Sequence, residues 1–599
     1  MADPNRDVLA FGPFLFDVDD RLFRGGQQIL LPPKETQLLR LLAGASGRIV
    51  SKDEILDHVW PQELVSENSI TRCVHSLRGL LGERRRHGGA IETVQGRGYR
   101  FALPIRRSTP EPAIDPVRVA VAPFDTGGED GRDYLAQGLA ADVTTRLGLL
   151  CDEGIAPLAR QSAQRLKLGR PARLPLAREL KLDFLVLGRL RVKACQLEVV
   201  VELVRVSDEL LLYSDTFSCP EDDAARLAGE IAEAVGKRLG RQTAGRTAPP
   251  TTCTTSDPRA YRALLQGDFA SQNRTERGLR RAIDCYRMAI GWDPRFASAH
   301  AALAQNLFYL GVRGYAAPLE LLPEARAALS RALDLDERNP LALSALAFLR
   351  WTIDRNPAAA LAIVDRGVRF APHDDQLPWR RSQILMTLGR FEEALADQRR
   401  SLARNPFAVN TMATHAHTHY FAGHLEDALA MARLVAEAEP EFAGMHALRA
   451  TAAAVLGRRE EALAAAAAAD VVARSDQVAR STCAHARALL GQEDEARADL
   501  AALQRTAKRR YVSQTCVAVV HMGLGEREAA LACLERALAD RCLWLPYVAT
   551  DPRFAPLREV ARFREIAALV TGERNGGATR VAKPKGSRRA SPSVAVHER

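Results

Sequence analysis

No stretch of 18 apolar residues occurs in this 599-residue chain, so no segment reads as a membrane-spanning helix. The nearest approach, Ala462–Ala469, is alanine-rich, sits in a charged helical context and ends at Asp470. The first residues, Met1–Asp7, are polar and charged, which excludes a secretory leader there. Cysteine is sparse: ten residues lie scattered between Cys73 and Cys542, with no CxxC pair and no Cys/His zinc spacing. Reduced intracellular thiols are the simplest reading of that pattern. Together these absences lead us to expect a cytoplasmic protein without a membrane anchor.

Catalytic signatures are missing as well. Gly127-Gly128 is not followed by the Gly-Lys-Ser/Thr that cradles phosphates, so it is no nucleotide loop. Asp125, Glu129, Asp130 and Asp133 form an acidic loop that reads as solvated rather than as a cation site. His415, His417, His419 and His424 cluster, and His415 and His419 share a helix face at i, i+4, a workable metal spacing. The Glu base of HExxH is absent, however, so no metal role is assigned. No Ser/His/Asp or Cys/His constellation is readable, and neither enzyme activity nor a cofactor is expected.

What is present begins with length and charge. The chain is too long for one core, so three or more domains are expected. The formal net charge of +10 is unevenly spread. From Ser66 to Arg107 nine arginines face three acidic residues, a local excess of six positive charges. Such a patch suits phosphate contact and makes binding salt-dependent.

Within that window, Ser66 can cap a helix opening at Glu67. Ile70, Val74, Leu77 and Leu81 recur at i, i+4, i+7 and i+11, a narrow stripe for burial. Asn68, Thr71, Arg72, His75, Ser76 and Arg78 then fall on the outer face. These short hydrogen-bonding groups and cations are the side chains that reach base edges and phosphates in a major groove. Gly96-Arg97-Gly98 can hold an arginine at a hairpin tip. Taken alone, the helix fits an ordinary solvated surface helix equally well.

The flanking segments decide between the two. Val8–Phe16 and Leu22–Leu31 read as strands joined by a turn-rich Asp17–Asp20. Pro32-Pro33 starts a helix over Lys34–Ala43, with Leu38, Leu39, Leu41 and Leu42 as core. Ser51, with Glu54 three residues on, forms a capping box for a helix over Lys52–Val59. Ile91–Val94 and Tyr99–Leu103 form a closing hairpin, and Trp60 and Tyr99 read as core. The run LPPKETQLLRLLAGASGRIVSKDEILDHVWPQELVSENSITRCVHSLRGLLG, followed by IETVQGRGYRF, resembles the OmpR/PhoB-type winged helix DNA-binding domain across residues 8–103. The resemblance implies an amino-terminal sheet, a third helix in the major groove and a wing on the minor groove or phosphates. By position it makes Asn68, Thr71, Arg72, His75 and Ser76 the groove face and Arg97 the wing contact. It also brings Arg78 and Arg100 to backbone phosphates. Response regulators of this type carry a receiver domain ahead of the winged helix. Only a short polar lead precedes Val8, so the signal is expected to enter downstream.

Residues 106–116 (RRSTPEPAIDP) form a Pro-rich linker. Residues 117–241 alternate strands and helices, which implies a mixed α/β sandwich. Its pattern AVAPF, YLAQGLAADVTTRL, FLVLGRLR and VVVELV resembles the TolB N-terminal-like domain. A second linker spans 242–256. Beyond it, Gly389, Gly423, Gly457, Gly491 and Gly525 recur every 34 residues, each opening a cassette such as GRFEEAL or GHLEDAL. Ala394, Ala428, Ala462, Ala496 and Ala530 keep the same phase, as do Pro372, Pro406 and Pro440. Small Gly and Ala would let paired helices approach while Pro stops the second of each pair. The cassette resembles tetratricopeptide repeats over residues 257–571, about eight of them with Pro552 and Ala555–Val570 as a terminal cap. Residues 572–599 are basic and Gly/Ser/Pro-rich, a disordered tail.

The expected fold class is therefore multidomain α/β and all-α: winged helix-turn-helix, mixed α/β sandwich, then a tetratricopeptide α-solenoid. The expected function is a transcriptional regulator, an activator by analogy with the winged helix family. Its partners would be double-stranded promoter DNA, RNA polymerase, and a protein or peptide held in the repeat groove. The competing reading is a repeat scaffold that uses the winged domain for protein contacts.

Overall fold

The computed structural model describes residues 8–16, 22–24, 27–29, 31–45, 47–60, 67–81, 89–108, 117–127, 131–148, 155–158, 160–167, 170–193, 196–239, 255–272, 274–371, 374–473 and 476–573. The chain divides into two compact units, residues 1–116 and 117–599.

The first unit opens with four short strands, β1 (Val8–Phe11), β2 (Phe14–Phe16), β3 (Leu22–Arg24) and β4 (Gln27–Ile29). The sequence pattern predicts two longer strands here. Gly12, at φ +53, and Pro13 break the first of them into a hairpin, because a left-handed residue followed by proline cannot continue a ladder. Next come α1 (Pro33–Gly44), β5 (Ile49–Val50), α2 (Lys52–Val59), α3 (Glu67–Leu80), β6 (Ile91–Val94), β7 (Gly98–Phe101) and β8 (Ile105–Ser108). One sheet has the order β4-β3-β2-β1-β8, and the other, β5-β7-β6, carries the hairpin.

The three helices and both sheets enclose one core. Leu38, Leu39, Leu42, Ile55, Val59, Val50 and Leu77 are fully buried in it, and Trp60 and Tyr99 are buried too. Leu41, expected in the core, is only half-buried against its edge. Each such aliphatic side chain contributes about 1.5–3 kcal/mol of transfer free energy. The Ser51 hydroxyl accepts from the Glu54 amide at 3.1 Å, as a cap should. Glu54 does not complete the box, because its carboxylate is held by Arg48 at 2.6 Å.

The second unit begins with an α/β module: β9 (Val117–Val121), α4 (Asp133–Gly148), β10 (Ile155–Pro157), α5 (Arg160–Gln164), α6 (Arg170–Glu179), β11 (Phe184–Lys193), β12 (Gln196–Arg205), β13 (Leu211–Pro220) and α7 (Ala224–Arg238). The sheet order is β10-β9-β11-β12-β13, with β9 parallel to both β10 and β11 and the remaining pairs antiparallel. Strand alternation sends Val119, Val121, Val186 and Val201 toward Leu139, Val143, Ile231 and Val235 of α4 and α7. Ala120, Ala122 and Leu185 face the other way, toward Leu166, Ala177 and Leu180. In Asp125, Glu129, Asp130 and Asp133, the described pair engages local partners: Asp125 accepts from the Gly127 amide, and Asp133 from Thr126.

Eight antiparallel helix pairs follow among the described residues, from α8 (Pro258–Ser271) to the helix Arg527–Ala539. The in-phase alanines 394, 428, 462, 496 and 530 are fully buried between helices, so close approach explains them. The in-phase glycines have a different cause. All five sit at φ between +72 and +84, and a side chain there would meet no close neighbour. They are needed for the left-handed turn that ends the first helix of each pair, not for packing. Pro406 and Pro440 stand two residues beyond helices ending at Arg404 and Ala438; Pro372 lies outside the described residues.

Two further features tie this unit together. Tyr261 of α8 donates to Asp142 of α4 at 2.6 Å, and Leu265 packs where Gly138 leaves room. Ser162 of α5 donates to Asn405, and Arg165 donates to the Ala438 carbonyl at 3.1 Å, so the module also braces the middle of the array. The segment just ahead of the expected terminal cap reaches back into the array. Trp544 donates to the Val312 carbonyl at 2.8 Å, Arg541 to the Ile353 carbonyl at 2.9 Å, and the Tyr547 ring lies against Trp351 and Phe421. The carboxy-terminal segment therefore fills part of the space lined by the first helices of earlier pairs.

Candidate nucleic-acid interface

Helix α3 separates its faces by burial. Ile70, Val74, Leu77 and Leu81 are buried against α1 and the hairpin, and Cys73, which the stripe did not include, is buried with them. Asn68, Thr71, Arg72 and His75 are exposed, and Ser76 is half-exposed. At about 1.5 Å rise per residue, Asn68 to Ser76 spans about 12 Å, the length of three to four base-pair steps of about 3.4 Å. The capping residue Ser66 and the loop arginines Arg84, Arg85 and Arg86 lie outside the described residues.

The hairpin β6–β7 stands beside this helix. Arg97 is exposed at its tip, where its amide donates to the Val94 carbonyl at 3.0 Å and closes the turn. Two glycines make that turn, Gly96 at φ +72 and Gly98 at φ +135. Gly98 has a second constraint: a Cβ there would fall 2.0 Å from the Val50 carbonyl oxygen of β5. The hairpin is thus seated on β5 by close backbone approach, and this holds Arg97 at a fixed place in the unit.

The remaining two arginines are engaged inside the unit. Arg78 is half-buried and donates through Nε (3.2 Å) and Nη2 (2.8 Å) to the Ile91 carbonyl, and through Nη2 to the Thr93 hydroxyl (2.9 Å). Arg100 is exposed but sits directly opposite Glu92 in the ladder and pairs with it at 2.5 Å. Spacing places Arg78 on the outer face and the resemblance brings Arg100 to phosphate, but neither shows these partners. The pairing of Arg100 was legible in principle, since Glu92 and Arg100 lie symmetrically about the turn.

In the repeat array, the histidine cluster is internally bonded. His415 is buried, with Nδ1 at 2.9 Å from Gln398 Oε1 and Nε2 at 3.3 Å from His419 Nε2. Ligand atoms of His419, His424 and Asp427 come within 4.8 Å of one another, the last two residues being exposed. Among the described residues, no helix is long and apolar enough to cross a membrane.

Comparison with known proteins agrees with this anatomy. Residues 26–101 match the family described as transcriptional regulatory protein, C terminal, and residues 379–407 match a tetratricopeptide repeat. Over 422 residues the chain is 25% identical to the transcriptional regulator HilA of Salmonella typhi, spanning 70% of this chain and 74% of that protein. The transcriptional activator CadC of Escherichia coli is 32% identical over 87 residues, 14% of this chain and 17% of CadC. Among solved structures, the DNA-binding domain of E. coli CadC is 29% identical, covering 17% of this chain and 99% of that one with a TM-score of 0.16. The amino-terminal domain is an OmpR/PhoB-type winged helix, and the carboxy-terminal array is built of tetratricopeptide repeats.

Proposed function

We propose that the chain is a DNA-binding transcriptional regulator, acting in the cytoplasm, that lays α3 in the major groove of promoter DNA and sets its wing on the adjacent backbone. The observation that carries this reading is the exposed row Asn68, Thr71, Arg72 and His75, with half-exposed Ser76, beside Arg97, on a helix and hairpin joined through Arg78. Arg72, with its planar fork of donors, is assigned to a guanine edge or a phosphate. Asn68, Thr71, His75 and Ser76 are assigned to base edges, and Arg97 to phosphate or the minor groove. Arg78 is a positioning residue, and Arg100 reaches phosphate only by exchanging Glu92 for it.

The repeat array is proposed to receive the signal, from a protein or a ligand, and the outcome to be activation through RNA polymerase. Tetratricopeptide arrays are interaction surfaces, which supports the receiving role. Part of the inner surface is taken by the chain's own residues 541–553, so a protein partner would use the faces that this segment leaves open. The test is fluorescence anisotropy on duplexes from the upstream region of the chain's own gene. Specific binding lost in Arg72→Ala and Arg97→Ala supports the reading. Equal, weak binding to all duplexes would instead favour the scaffold role.

A further inference from the structure

The repeat array forms a partly open cavity of about 260 Å³, walled by Phe308, Phe348, Trp379, Phe421, Trp544 and Tyr547. Four arginines line it among the described residues, and two of them, Arg380 and Arg274, lie over aromatic rings. Arg380 is 4% exposed and lies over the Phe348 and Trp379 rings at 4.5 and 4.9 Å. Its Nη1 donates to Gln383 Oε1 at 2.6 Å, and its Nε has no hydrogen-bond partner. Arg274 lies over the Tyr309 ring at 4.3 Å and reaches only neutral acceptors, Asn410 Oδ1 at 3.4 Å and the Tyr309 hydroxyl at 3.3 Å.

Neither guanidinium pairs with a carboxylate among the described residues. The other charges lining the cavity are balanced, Arg313 by Asp476 at 2.9 Å and Arg553 by Asp551 at 2.6 Å. Burial lowers the Arg380 pKa to about 10, with Tyr309 and Tyr547 acting the other way and Arg274 adding to the depression. Arg380 therefore remains charged at neutral pH. A buried cation without a counter-ion is destabilising, and an apolar pocket with a few convergent polar groups is the usual form of a small-molecule site.

We propose that this cavity binds a small organic carboxylate, its apolar body among the aromatic rings and its carboxylate on Arg380 and Arg274. The planar guanidinium matches a carboxylate edge to edge, and that contact supplies the missing counter-charge. A cavity of about 150 Å³ accommodates benzene, so this one fits a ligand of about ten non-hydrogen atoms. The inference deepens the signal-receiving role proposed for the array and rests on it. Binding is read apart from DNA affinity, so the two can fail separately.

The test titrates the full chain with 3-phenylpropionate and with octanoate, following tryptophan fluorescence and the thermal midpoint of the repeat unit. 3-Phenylpropanamide and inorganic phosphate serve as controls. The expected result is saturable binding of either acid, at least tenfold tighter than the amide or phosphate. Arg380→Met is expected to lose that binding while its ligand-free midpoint holds or rises, since a buried unpaired charge has been removed. Arg274→Gln, on a partly exposed residue, should weaken the same acids and carries the test if Arg380→Met fails to fold. Equal binding of acid and amide, unchanged acid affinity in the variants, or no binding of either acid at millimolar concentration overturns the proposal. DNA binding of the same preparations is expected to be unaffected without ligand.

Discussion

Arg78 and Ile91 join the helix to the wing: one guanidinium donates twice, through Nε and Nη2, to a single carbonyl of β6. With the further bond to Thr93, this makes the spacing between the exposed row of α3 and Arg97 a property of the fold rather than of loop conformation. Arg78→Met is expected to destabilise the winged domain by about 1.5–3 kcal/mol, the range for hydrogen bonds with a charged donor. It should weaken specific DNA binding without changing the salt slope. Arg100→Gln, which removes only an exposed cross-strand pair, should cost less than about 1 kcal/mol. Urea unfolding and salt-dependent anisotropy of both variants distinguish the two roles.

Arg72 and Arg97 should fail in different ways. A base-reading arginine costs about 1–3 kcal/mol when removed and relaxes specificity at one position. A phosphate-binding arginine weakens all sequences alike and lowers the salt slope by about 1. Arg72→Ala is expected to follow the first pattern and Arg97→Ala the second, read from affinities on a set of single-base operator variants at several salt concentrations.

Two glycines with the same sign of φ should respond very differently to alanine. Gly98→Ala drives a methyl group into the Val50 carbonyl oxygen and strains the backbone as well. The expected loss is about 3 kcal/mol or more, together with DNA binding, because the wing must leave β5. Gly457→Ala meets open space and should cost only the left-handed penalty of about 1–2 kcal/mol. Calorimetry on the full chain should show the first loss in the winged domain and the second in the repeats.

The repeat unit should lose stability in mild acid. Burial lowers His415 to about 4, with His419 adding to it, and burial lowers His485 to about 3, with Arg553 adding to it. Both imidazoles are neutral when folded, whereas the unfolded chain takes up their protons as pH falls through about 6.5. Their contribution is complete above that pH and is lost progressively as pH falls from about 6.5 to about 4 for His415 and about 3 for His485. Urea midpoints of the repeat unit at pH 7.5, 6 and 5 should fall in that order. His415→Gln or His485→Gln should flatten the trend.

The sequence by itself determined every feature that repeats or alternates within a few residues. The stripe of α3, the alternating strands of the α/β module and the 34-residue cassette each follow from local periodicity and turn chemistry, and the structure carries them where they were read. Contacts between residues distant in the chain were decided only by the tertiary structure. The family resemblance assigned Arg78 to phosphate, but folding put the Ile91 carbonyl in its reach. Glu54 completes a capping box in the pattern, but Arg48 competes for its carboxylate. The glycine series was visible, yet its cause, left-handed turns rather than helix approach, needed backbone angles. The cavity around Arg380 and Arg274 had no local signature, since its walls come from segments as distant in the chain as Arg274 and Arg553, brought together when the carboxy-terminal segment folds back onto the array. Periodicity is a property of neighbours along the chain, while a counter-ion's absence is a property of neighbours in space.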